Sequence, residues 1–200
     1  MRSVAPAQRA PGRAGPSGGG GSLRRVQVRL VRREDAEAVR AIYNREVTGS
    51  TVTFDLVPRS LEEQLQWIDD HSGAHPAVVA IDDAGTVCGF ASLSPYRPRP
   101  AYRTTVEDSV YVARDARGSG VGRLLLEATV GLAADHGFHA VMARIVDSHE
   151  ASIRLHRSCG FELVGVEREV GRKLGRWLDV VSMQCLLGGP GANPRPPIIP

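Results

Sequence analysis

Residues 110–123 constrain what this chain can become more than any other stretch. Val110-Tyr111-Val112 reads as the end of a strand, Arg117-Gly118-Ser119-Gly120-Val121-Gly122-Arg123 as a tight turn, and Leu124, Leu125, Ala128 and Leu132 as the apolar face of a following helix. Glycines at alternate positions let the backbone approach a ligand closely, and the first-turn amides of the helix have no intrahelical partners. Their partial positive charge, with Arg117 and Arg123 beside them, makes a cradle for a pyrophosphate. Two familiar phosphate loops fit badly. A nucleoside-triphosphate loop ends in Gly-Lys-Ser/Thr, whereas Gly122 is followed by Arg123 and Leu124. A dinucleotide fold opens with its glycine turn, whereas here three strand-like and two helix-like runs come first.

Two hundred residues suit one domain with a real core. No apolar run approaches the roughly 20 residues of a bilayer-spanning helix, so a soluble chain without a membrane partner is expected. The formal charge of +3 is carried by the ends. Arg2, Arg9, Arg13, Arg24, Arg25 and Arg195 lie there, and removing these six from the 25 basic residues leaves 19 against 22 acidic ones. A basic balance confined to the ends argues against a nucleic-acid partner. Cys88, Cys159 and Cys185 form no Cys-x-x-Cys pair and suit reduced thiols in the cytoplasm. The expected organisation is a disordered Gly/Pro/Arg-rich leader over 1–25, one domain over 26–187 and a disordered tail over 188–200.

Within the domain, 26–31 alternates as a strand, and 35–46 carries Ala36, Val39, Ile42 and Tyr43 at helical spacing. Ser60-Leu61-Glu62-Glu63 is a capping box opening a second helix, with Leu61, Leu65 and Ile68 on one face. Strands over 77–81 and 87–93 flank Asp82-Asp83-Ala84-Gly85, a hairpin signal. The strand 105–112 feeds the glycine turn, whose helix runs to about His136 with Gly137 as its cap. A strand over 140–145, a short helix from about Ala151 to Gly160, and an antiparallel pair over 161–169 and 177–186 complete the chain. The order is β-α-α-β-β-β-α-β-α-β-β, a mixed three-layer α/β domain.

That arrangement resembles the GCN5-related N-acetyltransferase (GNAT) superfamily, in its Arg117-Gly118-Ser119-Gly120-Val121-Gly122 turn and its Ala151–Phe161 helix, Ala151-Ser152-Ile153-Arg154-Leu155-His156-Arg157-Ser158-Cys159-Gly160-Phe161. More narrowly it is similar to the phosphinothricin / methionine sulfoximine N-acetyltransferase branch. That likeness rests on Ala41-Ile42-Tyr43-Asn44, Thr51-Val52-Thr53-Phe54, Tyr96-Arg97-Pro98, Thr105-Val106-Glu107-Asp108-Ser109-Val110-Tyr111-Val112 and Gly175-Arg176-Trp177-Leu178-Asp179. The resemblance implies an α/β/α domain with a centrally splayed mixed sheet, acetyl-CoA as co-substrate, no metal, and a homodimer. It places acetyl-CoA against Val110, Tyr111, Val112, Arg117, Gly118, Ser119, Gly120, Val121, Gly122, Arg123 and Ser152. His149 stands where the superfamily usually has an asparagine that contacts pantetheine, and is retained as a cofactor candidate. Substrate contacts carry over onto Arg97, Pro98 and Arg99 and onto Glu107, Asp108 and Ser109. Arg99 departs from the aromatic residue common there.

Acetyl transfer to an amine needs a base, because an amino group is mostly protonated at neutral pH. Glu107 is the expected base. Alternation puts it with Ser109 and Tyr111 on one strand face, opposite Val106, Val110 and Val112. His156, where many superfamily members have a tyrosine, is the second catalytic candidate, sharing proton transfer with Glu107. Ser152, four residues earlier, reads as a stabiliser of the helix N-terminus, and no Ser–His–Asp set is legible. The other histidines lack metal-ligand spacing. The arginines of 96–103 suit forked hydrogen bonds to an anionic head group, and Phe54 and Tyr102 suit its apolar walls. Lys173 and Arg176 read either as residues reaching across a dimer or as a charged hairpin tip. The expected function is acetyl-CoA-dependent N-acetylation of a small amino-acid-like amine. The alternatives are acetylation of a protein N-terminus or other amine, and a non-catalytic coenzyme A-binding regulator.

Overall fold

The computed structural model describes residues 26–188 apart from Asp147, so the leader and nearly all of the tail lie outside the described residues. The first alternating run forms β1 (Gln27–Leu30), and α1 (Ala36–Gly49) follows a single 3-10 turn. Ser60 opens α2 (Leu61–Asp70) as a capping box: its hydroxyl accepts from the Glu63 amide at 3.1 Å, and the Glu63 carboxylate accepts from the Ser60 amide at 2.7 Å. Between β2 (Ala77–Ile81) and β3 (Val87–Pro95), Asp82 Oδ1 accepts from the amides of Ala84 and Thr86, which fixes the hairpin turn. Then come β4 (Thr105–Val112), α3 (Val121–Asp135), β5 (Ala140–Val146), α4 (Glu150–Ser158), β6 (Glu162–Lys173) and β7 (Arg176–Leu186). The order is the one read from the sequence.

The seven strands form one sheet in the order β1-β2-β3-β4-β5-β7-β6. All neighbours are antiparallel except β4 and β5, the pair joined through α3. These two pair only where 105–107 meets 140–142. Beyond Glu107 they part. Each remains bonded to its outer neighbour, β4 to β3 as far as Val112 and β5 to β7 as far as Val146.

Two helical layers cover the sheet. Val39, Tyr43 and Val47 of α1, with Trp67 of α2, pack on Val79, Phe90 and Tyr111. On the other face Val121, Leu125, Leu126 and Ala133 of α3, with Ile153 and Leu155 of α4, pack on Val78, Ala91, Val106, Val141 and Met183. Each fully buried side chain of this size stabilises the fold by about 1.5–3 kcal/mol.

Three local expectations need correction. The buried stripe of α2 runs through Gln64 and Ile68, while Leu61 is exposed, because α2 meets α1 and the sheet along that edge. The first helix continues past residue 46 to Gly49 and buries Glu46 and Val47. The last hairpin is longer than its apolar alternation suggests. β6 extends to Lys173 across irregularities at Leu163/Gly165 and Glu167/Gly171. Lys173, the single lysine of the chain, is neither an exposed tip nor free to reach elsewhere: it is 4 % exposed and donates to the Thr53 carbonyl at 2.7 Å.

Candidate active site

The parting of β4 and β5 opens a cleft of about 720 Å³ that runs from the glycine turn to the paired ends of the two strands. At the turn, Gly118 and Gly120 adopt φ of 78° and 89°, a conformation costly for any residue bearing a Cβ. No side chain caps α3, and while the Arg123 amide donates to the Gly120 carbonyl at 3.0 Å, the Val121 and Gly122 amides ahead of it keep their donors for a guest. Gly118, Gly120 and Gly122 line the cleft with Arg117 and Arg123. Of the remaining turn residues, Val121 is turned into the core, leaving only its amide, and the Ser119 hydroxyl donates to the Ala116 carbonyl at 2.6 Å. Outward amides at a helix N-terminus beside two guanidiniums favour an anion over a neutral group.

Arg117 does not stand alone. Its Nε donates to the Val112 carbonyl at 3.2 Å and its Nη2 to Glu46 Oε1 at 2.8 Å, while Arg114 approaches the same oxygen at 3.5 Å. Glu46 is 4 % exposed. Burial pushes its pKa up, but the hydrogen bond from Ser50 and the charges of Arg117 and Arg114 outweigh it and hold the carboxyl below the ordinary range. Glu46 thus fixes the arginine beside the glycine turn. Its signal was present in the sequence: it follows Val39 and Tyr43 by seven and three residues, an apolar-stripe position filled by an acid.

Val110, Tyr111 and Val112 line the middle of the cleft, and His149 and Ser152 face it from the start of α4. Tyr111 is held by edge contact with Tyr43 at 5.1 Å and stacking on Phe90 at 5.0 Å. His149 makes no capping bond to α4, and burial draws its pKa below the usual histidine value, which favours a neutral ring able to donate through one nitrogen.

Glu107, Asp108, Ser109 and His156 line the far end. Glu107 is half-buried and accepts no hydrogen bond from the described residues. Burial raises its pKa above the carboxylate norm, against the pull of Arg144 and Arg97 and with help from Asp108. Asp108 faces the other side of β4. Its side chain is 1 % exposed, and Oδ2 lies 3.1 Å from His156 Nε2, whose ring is 4 % exposed. The partner that the fold gives His156 is therefore Asp108, and no hydrogen bond joins it to Glu107. Asp108 Oδ1 is buried with no partner among the described residues.

Ser152 does not cap α4: its hydroxyl lies 3.3 Å from His156 Nδ1. Folding thus assembles a Ser152–His156–Asp108 set that the sequence hid. It is not arranged as a nucleophile and base, because Nδ1 lies 2.8 Å from the Ser152 carbonyl oxygen, an acceptor that claims the Nδ1 proton.

The expected substrate residues divide between two places. Arg97, Pro98 and Arg99 line a separate hollow of about 240 Å³ with Tyr96, Tyr102 and Arg103. Thr105 borders that hollow and Glu107 the cleft, two residues along one strand. Arg97 lies over the Tyr96 ring at 4.9 Å, and Tyr96 meets Tyr102 edge-on at 5.5 Å. Val52, Thr53 and Phe54 close the cleft on the α1 side, tied to β6 by Lys173 and by the Phe54 ring packed on Gly171. Among the described residues no group of His, Cys, Asp and Glu is placed to hold a metal ion, and no helix is long and apolar enough to cross a membrane.

Residues 28–182 match the family model described as "Acetyltransferase (GNAT) domain". A Pseudomonas aeruginosa protein named L-methionine sulfoximine/L-methionine sulfone acetyltransferase is 42 % identical over 154 residues, covering 76 % of this chain and 90 % of that protein. The Streptomyces coelicolor phosphinothricin N-acetyltransferase is 42 % identical over 158 residues, covering 78 % and 92 %. Among solved structures, a GNAT superfamily phosphinothricin acetyltransferase from Sinorhizobium meliloti, in complex with acetyl-CoA, superposes with a TM-score of 0.80 at 38 % identity, covering 86 % of this chain and 94 % of that one.

Proposed function

This chain belongs to the GNAT acetyltransferases, enzymes that take their acetyl group from acetyl-CoA, and on that premise we propose that it N-acetylates a small amino acid carrying a polar or anionic head, of the phosphinothricin and methionine sulfoximine or sulfone type. The observation that carries the reading is the position of Glu107. It sits at the last paired residue of β4 and β5, where the cleft begins, so the guest's thioester and the free carboxylate share one end of the site. Acetyl-CoA supplies an acyl group activated as a thioester. The chain's own residues do the rest.

The amides of the glycine turn with Arg117 and Arg123 hold the pyrophosphate, and Val110, Tyr111, Val112, His149 and Ser152 flank the arm that leads to the sulfur. Glu107 takes a proton from the acceptor ammonium. Its pKa, raised by burial toward neutrality, makes it a stronger base than an exposed glutamate. A backbone amide of 110–112 that points toward β5, where the pairing has ended, is the candidate to steady developing negative charge on the carbonyl oxygen. Ser109 and the arginines of the neighbouring hollow recognise the acceptor's head group, Arg97 and Arg99 by forked hydrogen bonds. The protein works in the cytoplasm with its cysteines reduced, and as a homodimer. The exposed Leu163, Val164 and Val166 on the edge strand β6 are the apolar surface on which two copies would meet.

Release of free thiol on mixing acetyl-CoA with a panel of amines tests the reading. Methionine sulfoximine, methionine sulfone and phosphinothricin should give the highest kcat/KM, above polyamines and peptides. A panel led by peptides with free N-termini would instead favour the second reading. One observation favours it: a structure titled ribosomal-protein-alanine N-acetyltransferase from Brucella melitensis is 39 % identical, with a TM-score of 0.78, covering 80 % of this chain and 99 % of that one.

A further inference from the structure

We propose that Asp108 is a positioning residue that holds His156 as a doubly protonated imidazolium, so that His156 gives a proton during acetyl transfer and Glu107 alone takes one. The proposal rests on the reading that acetyl transfer occurs in this cleft. It starts from what each ring nitrogen faces. Nδ1 lies 2.8 Å from the Ser152 carbonyl oxygen, which can only accept, so Nδ1 carries a proton. Nε2 lies 3.1 Å from Asp108 Oδ2. Were Nε2 bare, its lone pair would confront a carboxylate oxygen in a buried site; with a proton it makes a charge-assisted bond.

The surroundings leave little else to set this charge. The Phe161 ring meets the imidazole edge-on at 5.0 Å and closes one side. Ser152 on the same helix is uncharged. Glu107 on β4 and the Cys185 thiol on β7 both sense the charge of Asp108. Asp108 Oδ1 takes no hydrogen bond, so the negative charge is not drawn off to another donor. Burial alone would push His156 toward neutrality, but the bond and charge of Asp108 outweigh it, and the net direction is upward.

An imidazolium has no lone pair with which to deprotonate an amine. As the acceptor nitrogen bonds to the thioester carbonyl carbon, the C–S bond breaks with its electron pair on sulfur, and sulfur takes the Nε2 proton, which leaves its hydrogen bond to Asp108 as it transfers. The second proton leaving the nitrogen returns to the bare Nε2 and restores the imidazolium, and the first stays on Glu107 until solvent removes it.

The test is an NMR titration of the whole protein with ¹⁵N-labelled histidine and no substrate, with His156 assigned by its loss in His156→Gln. Both ring nitrogens should be protonated at neutral pH, and His156 should titrate above the ordinary histidine value. In Asp108→Asn it should fall below the ordinary histidine value. The alkaline limb of kcat should move down with it, at about tenfold in rate per pKa unit above the new value. KM for acetyl-CoA should hold, and Asp108→Glu should restore the limb. A wild-type His156 that is neutral at neutral pH overturns the proposal, as does an Asp108→Asn protein whose titration and alkaline limb are unchanged. If Asp108→Asn does not fold, the wild-type titration decides. Because that titration needs no amine, failure of the substrate panel is a separate result and counts against the proposed function instead.

Discussion

Glu107 and Asp108 follow one another along β4 and, because a strand alternates, serve opposite faces of the sheet. On the α1 face, Glu107 is half-buried and unbonded, and burial raises its pKa. On the α4 face, Asp108 is sealed from solvent and spends its charge on His156. The difference teaches that one functional group on adjacent residues takes two roles according to what the fold sets beside it. A carboxylate that accepts no hydrogen bond from the described residues is the one the proposed function assigns to the substrate. A paired one governs its partner.

The largest way to break that contrast is Glu107→Gln. It should lower kcat/KM by about 10²–10⁴-fold, the usual contribution of a positioned base, with acetyl-CoA affinity by calorimetry unchanged. The same variant should melt at a higher temperature than the wild type, because the folded state disfavours the ionised carboxyl it loses. An unaltered rate would take Glu107 out of the chemistry. On the other face, His156→Ala should cost about 3–5 kcal/mol in urea unfolding, since it strands the Asp108 charge in a dry site. Adding Asp108→Ala should return part of that loss. If His156→Ala unfolds no more easily than a surface variant, the two faces do not differ as described.

Gly171→Ala sharpens the picture on the Glu107 side. A Cβ there would overlap the Phe54 ring, which closes the cleft. The expected cost is about 1–3 kcal/mol, with a shift in acceptor preference but little change in acetyl-CoA binding. The smallest effect is in the pH dependence of melting. His156 has a raised pKa in the folded state, so its contribution is complete below about pH 6.5 and is lost as pH climbs through the raised value. Glu107 is also raised, so its contribution is present at acid pH and lost in a lower window above about pH 4.3. Asp108→Asn should erase the upper decline and Glu107→Gln the lower one.

The element order and the glycine turn were legible because they are local. Alternation in 105–112, the Ser60 capping box and the positive-φ glycines each act within a few residues, and all three form as read. What could not be read depends on pairs far apart in the chain. Glu46 meets Arg117 across 71 residues, His156 meets Asp108 across 48, and Lys173 meets Thr53 across 120. Nothing local marks a lysine in Val170-Gly171-Arg172-Lys173 as buried; its bond to a distant carbonyl decides that. The Arg97 loop shows the converse. Its composition suggested a site, but which cavity it would border was settled by the 3-10 turn at Pro100–Tyr102 and the clustered tyrosines.

An exposed strand edge normally sits at the rim of a sheet, where any other extended chain can join it and begin aggregation. Here two such edges lie in the interior, face to face, where β4 and β5 cease to pair after residue 107. β3 and β7 flank the two strands on their outer sides, and under the proposed function a slender guest bearing its own amides would lie between them as a missing strand. The protein thus carries its most adhesive backbone in the one place where only a thread can reach it.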